Sequence, residues 1–186
     1  MISSGHIGLV ASDAGFVVHE EKQWLGASPD AWVVDPSVPD QGGTAEFKCP
    51  NREANMTLEE ACQGSDFCCS MVDGKIHLKE NHFYYHQVQL QLYVAATSCY
   101  WCDFCVYTTK DVRVERIYPD DNWMSHNCPK LDEYYFDHIL PEIVTKTQTK
   151  LLLLILIYTK VLESYSVRYK QKTNDLQYQL GLPVMI

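Results

Sequence analysis

Gly26-Ala27-Ser28-Pro29-Asp30 and Ala45-Glu46-Phe47-Lys48-Cys49-Pro50 decide how this chain is read. Each stretch ends an apolar run at a turn residue. Successive side chains of a strand point to opposite faces, so Glu46 and Lys48 share one face and Phe47 takes the other. A carboxylate pair such as Asp30 and Glu46 can hold a hard divalent cation, and a lysine beside it can position or deprotonate a water. The combination points to metal-assisted phosphodiester hydrolysis. Taken singly, each residue reads as a turn aspartate or as part of a solvated strand pair.

Working outward toward the N-terminus, Phe16-Val17-Val18 and the run 24–34 predict a hairpin, with Asp30 at a kink. Residues 1–13 carry little signal beyond the turn Ser12-Asp13-Ala14-Gly15. Asp35 to Gly43 reads as a loop, and Thr44 to Cys49 as a third strand that Pro50 stops.

Toward the C-terminus, Thr57-Leu58-Glu59-Glu60 has the capping-box pattern of a short helix. Asp66 to Met71 fits strand or loop, and Asp73-Gly74 marks a turn before Lys75-Ile76-His77-Leu78. In residues 82–97, Val88, Leu90, Leu92 and Val94 alternate with Gln87, Gln89, Gln91 and Tyr93, which period-two counting reads as a half-buried strand. Tyr100–Thr108 and Val112–Tyr118 predict a hairpin that Pro119-Asp120-Asp121-Asn122 ends. Residues 130–149 predict a helix with Leu131, Tyr134, Tyr135, His138, Ile139 and Ile143 near one stripe, interrupted at Pro141. Leu151 to Tyr158 is an unbroken apolar run between Lys150 and Lys160, short of the roughly 20 residues a membrane span needs. It leads into the polar stretch 163–179, read as a helical extension.

Three blocks together carry a family resemblance: Trp24-Leu25-Gly26-Ala27-Ser28-Pro29-Asp30, then Glu46-Phe47-Lys48-Cys49-Pro50, then Tyr85-His86-Gln87-Val88-Gln89-Leu90-Gln91-Leu92-Tyr93. In order and spacing they resemble the YqaJ-type viral recombinase family, nucleases of the PD-(D/E)xK superfamily akin to lambda-type alkaline exonuclease. The resemblance spans roughly residues 10 to 148. It implies an α/β fold with a restriction-endonuclease-like core, a small central mixed β-sheet flanked by helices. It also implies a nuclease domain over 1–149 and an out-of-family tail over 150–186. The family's N-terminal helix, with a further metal-ligating glutamate, is expected to be missing.

The resemblance turns residues 81–97 into a helix, with Phe83, Leu90 and Val94 on one face and His86, Gln89 and Tyr93 on another. It implies that Asp30, Glu46 and the Phe47 backbone carbonyl ligate Mg²⁺ or Mn²⁺, with Lys48 near the attacking water. Gln89 and Tyr93 resemble the Q-x-x-x-(Y/W) element that supports the lysine and reaches the DNA backbone. Gln87 and Ser28 are further DNA contacts, Ser28 at a 5′-phosphate. The implied partner is DNA, at duplex ends, with a homo-oligomer or a recombination partner also open.

With 46% apolar and 21% charged residues among 186, the composition is that of one globular domain, not of a disordered chain. The net charge of −9 argues against tight non-specific nucleic-acid binding, though not against a carboxylate metal site. No basic and apolar leader follows Met1, so the eight cysteines are expected as reduced thiols in a nuclear or cytoplasmic compartment, with no membrane association. Cys99-x-x-Cys102-x-x-Cys105, with Cys62, Cys68, Cys69, Cys128 and His126, offers a zinc alternative. A spacing of three on a strand points Cys102 and Cys105 to opposite faces, which argues against structural zinc. Two function classes therefore stand: a metal-dependent DNA exonuclease, and a catalytically inactive remnant of that fold acting as a DNA- or protein-binding module.

Overall fold

The computed structural model describes residues 8–179. Its sheet is organised around β5 (Gly42–Lys48), the third expected strand. β5 pairs antiparallel with β4 (Ala31–Val34) and parallel with β8 (Cys102–Tyr107). β1 (Val10–Asp13) closes one edge against β4, and β9 (Val112–Ile117) the other against β8. The result is a five-stranded mixed sheet of order β1-β4-β5-β8-β9. The parallel pair needs a crossover. It contains α1 (Leu58–Ala61), the hairpin β6 (Cys69–Val72) with β7 (Lys75–Leu78), and α2 (Phe83–Val94). The mixed α/β architecture is thus the one expected.

Local signals explain several elements. Thr57 caps α1 through the reciprocal hydrogen bonds of a capping box with Glu60. Asp73 and Gly74 both adopt positive φ, 49° and 74°, the conformation of a tight hairpin turn. Gly43 lets the Trp101 ring lie on the sheet, since a Cβ there would sit 2.3 Å from the ring.

The run 24–34 forms two short strands, not one. β3 (Gly26–Ala27) pairs with β2 (Val17–Val18), while β4 pairs with β1. The break falls at Ser28-Pro29-Asp30, because Pro has no N–H for a continuous ladder. β1 lies in a stretch that carried no strand signal.

Residues 83–94 are helical despite their alternation. The face assignment needs correction. Phe83 is 64% exposed, and Val88, Gln89, Gln91, Leu92 and Val94 are the buried residues. Val88 and Leu92 pack into the main core with Leu58, Phe67, Phe104, Val106 and Ile117. A second cluster of Ala31, Val33, Ala45 and Trp101 covers the opposite face of the sheet.

The chain divides into two compact units, one through Pro129 and one from Lys130. α3 (Asp121–Tyr134) starts earlier than expected and contains Pro129. Tyr135–Ile139 is a π-helical turn, followed by α4 (Leu140–Gln179). The interruption expected at Pro141 falls just before it, where the missing proline N–H disturbs the α-helical ladder. The stripe assigned to 130–149 is not a buried one: Tyr134, Ile139 and Ile143 are exposed. Leu151 to Tyr158 are each more than half exposed on α4. Among the described residues, no helix is long and apolar enough to cross a membrane.

Candidate active site

Period two along β5 turns Thr44, Glu46 and Lys48 toward α2. Glu46 is 2% exposed, and a carboxylate so placed needs donors on both oxygens. Lys48 Nζ donates to Glu46 Oε1. Gln87 Nε2 donates to the same oxygen at 2.7 Å, and Gln91 Nε2 donates to Oε2 at 2.7 Å. The Gln87 carbonyl in turn accepts from Lys48 Nζ at 3.2 Å. Lys48 Nζ also lies 4.4 Å from the centre of the Tyr84 ring, a cation–π contact. Strand β5 thus supplies the charges, and one flank of α2 supplies the amides and the ring that hold them.

Asp30 joins from the start of β4. Its N–H donates to the Ala45 carbonyl at 3.1 Å, and its Oδ2 accepts the Phe47 N–H at 2.7 Å. The alternation of the β5 backbone sets the Phe47 carbonyl on the same edge as that N–H. Asp30 is exposed, so its carboxylate faces solvent beside that carbonyl. Asp30, Glu46, Phe47 and Lys48 are therefore assembled around one end of β5.

Gln89 is not part of this group. It is fully buried, donates from Nε2 to the Tyr118 carbonyl at 3.0 Å and accepts the Asp120 N–H at 2.9 Å. Two residues along a helix turn the side chain through about 200°, so Gln87 and Gln89 cannot serve the same spot. Gln87 and Gln91, four apart, can and do. Sequence reasoning left Gln91 out of the site; the i, i+4 spacing to Gln87 was the signal that would have found it.

Tyr93 also lies elsewhere. Its ring packs against His19, with centroids 4.8 Å apart, and Lys22 Nζ is 5.5 Å from its centre. Ser28 is exposed at the bend between β3 and β4.

The donor set suits a hard cation: two carboxylates and a backbone carbonyl, all oxygen. The carbonyl oxygen of Gln91 adds a buried acceptor that takes no hydrogen bond. Among the described residues, no group of three or more His, Cys, Asp or Glu is arranged as a metal cage. Among the described residues no disulfide joins the cysteines. Burial pushes the Cys102 thiol up to about 12 and raises Cys99 and Cys105 too.

Two solved structures share this fold. Both are of an alkaline exonuclease (LHK-Exo) from Laribacter hongkongensis, one of them in complex with dAMP. Each aligns at a TM-score of 0.53 and 23% identity over 78% of this chain. The chain spans 66% and 65% of their lengths, just under two thirds. No curated protein matches. Residues 7–98 match the model of the YqaJ-like viral recombinase domain.

Proposed function

We propose that this domain is a metal-dependent DNA exonuclease of the viral or mobile-element recombination type, working on duplex ends inside the cell. The observation that carries the reading is the joining of Glu46 to Lys48 on one face of β5, with Asp30 bonded to the Phe47 N–H beside them. The LHK-Exo structure with dAMP supports a nucleotide-bearing substrate for the shared fold.

Asp30, Glu46 and the Phe47 carbonyl would hold Mg²⁺ or Mn²⁺. When bound, the ion polarises the scissile phosphate and lowers the pKa of a coordinated water. The protein's own part is positional. Lys48 carries three N–H donors and uses two, on Glu46 and Gln87, which leaves the third for a water or a phosphate oxygen. Gln87 and Gln91 fix both oxygens of Glu46 so that its orientation does not depend on Lys48 alone. Ser28, at the neighbouring bend, is assigned to the DNA backbone. Tyr93 and Gln89 take no part in the chemistry.

The second reading, a non-catalytic module, is favoured by one observation. Both oxygens of Glu46 already have donors within the protein, so the group is stable without a cation. The test is digestion of linear duplex DNA with Mg²⁺ or Mn²⁺. The parent chain should cut only with metal, and Lys48→Ala or Glu46→Ala should lower the rate on the order of 10³-fold. Metal-dependent DNA binding with no cutting by the parent would leave the module reading in place.

A further inference from the structure

We propose that the cavity beside Lys48 is a subsite for one nucleobase of the DNA strand being cut, stacked on Phe83; the proposal rests on the nuclease reading. The cavity is about 190 Å³ and is lined by Lys48, Arg52, Asp66, His82, Phe83 and Tyr84, among others. Three consecutive rings wall one side. The His82 and Phe83 centroids are 4.3 Å apart and stacked at 30°. Phe83 and Tyr84 are 4.3 Å apart, and His82 and Tyr84 4.8 Å.

Each ring has a different job. Tyr84 reaches inward, under the Lys48 ammonium and toward Phe104, and so ties the cavity to the proposed chemistry. His82 is held by the helix start, its Nδ1 accepting the Tyr84 N–H at 3.1 Å. Burial, then the nearby Lys79, lowers the His82 pKa, which favours the neutral ring that accepts this hydrogen bond. Phe83 alone turns its ring to solvent, 64% exposed, and does nothing for the core.

The charges favour a base over a bare phosphate. Arg52 is balanced by Glu53 and Asp66, which also line the cavity, and Lys48 is already paired with Glu46. Apart from the one Lys48 N–H left for a water or a phosphate oxygen, such a wall carries no excess of positive charge. It does offer a largely exposed aromatic ring with donors and acceptors around it, which suits the ring and edge of a nucleobase. Because all four bases present a π-face, the subsite should tolerate any sequence, as an exonuclease requires.

The test uses the full chain and linear duplex DNA carrying 2-aminopurine at either terminal nucleotide, with Ca²⁺ replacing Mg²⁺ to hold the complex uncut. Fluorescence of the terminal 2-aminopurine should be quenched on binding to the parent and to Phe83→Trp. Phe83→Ala should lose the quenching and bind roughly ten-fold more weakly. A 2-aminopurine placed well inside the duplex should be unaffected by either variant. Phe83 is exposed, so both variants should keep the parent's melting temperature, and a melting scan checks this. If the parent binds and cuts DNA while Phe83→Ala quenches and binds like the parent, the subsite is wrong and the nuclease reading stands. If the parent neither binds nor cuts DNA, both fall.

Discussion

The two faces of the five-stranded sheet each bury acidic groups, and they neutralise them differently. On the Trp101 face, Arg116 closes two aspartates. Its Nη1 donates to Asp35 at 2.8 Å, and its Nε and Nη2 grip Asp103 at 2.8 and 2.9 Å. Its guanidinium lies 3.5 Å from the Trp101 ring centre. The bonds to Asp103 push the Arg116 pKa up, partly opposed by burial. On the α2 face, Glu46 meets one ammonium and two neutral amides. A guanidinium fork is planar and permanently charged, and here it spans two aspartates through three N–H bonds, whereas an ammonium on a flexible stem and two amides can change partners. Burial of charge therefore does not by itself mark a functional site. On the proposed reading, what separates the two groups is that the partners of Glu46 can be exchanged.

The largest effect expected from this contrast is on stability. Arg116→Leu leaves Asp35 and Asp103 without their cation, and breaking such a buried group costs about 3–5 kcal/mol. Urea unfolding should record that loss, while cleavage per folded molecule stays at the parent's level. A cleavage loss on the scale of Lys48→Ala would mean that the two faces are not independent.

A smaller pair of effects divides α2 itself. Gln89→Ala strands the Tyr118 carbonyl and the Asp120 N–H, at a cost of about 1–3 kcal/mol, with cleavage kinetics intact. Gln87→Ala should do the reverse, lowering cleavage about ten-fold with little change in stability. Were Gln89→Ala instead to abolish turnover in a folded protein, the assignment of the two glutamines would have to be exchanged.

The smallest effect concerns pH. The Asp120 carboxylate is held below its ordinary pKa, chiefly by the Trp123 N–H and then by the Tyr85 hydroxyl. A depressed carboxylate stabilises the fold above its unfolded value, and that stability is lost as pH falls through the folded one. Asp120→Ala should therefore cost about 0.5–1 kcal/mol near neutrality, as loss of a partly exposed helix cap. The difference from the parent should shrink below about pH 4. A gap that persists unchanged at low pH would assign the effect to packing.

The same contrast explains why some features were legible in the sequence and others not. β5 could be read because Pro50 stops it and its alternation is clean. The turn at Asp73-Gly74 and the capping box at Thr57 are local codes, and both formed as expected. β1 could not be read because all four of its residues are exposed, which leaves no hydrophobic period to find. α3 was hidden by Pro129 and by a start, Pro119-Asp120, that looks like a turn. The glutamine block was harder. Its period of two suggests that residues 87, 89 and 91 act together, which would hold in a strand. Once the segment is helical, residue 89 rotates to the opposite flank and residues 87 and 91 remain with Glu46. The motif named the right helix and the wrong glutamine for the position beside the lysine.

Lys48 is followed directly by Cys49. That thiol is exposed, Cys62 is half-buried and the other six cysteines are buried. The molecule thus carries its own chemical footprint marker next to Lys48. A short pulse of alkylating reagent should label Cys49 first, and anything bound against that end of β5 should slow the labelling. The six buried thiols would react only as the fold opens, so one mass spectrum would separate occupancy at the strand end from loss of the native state.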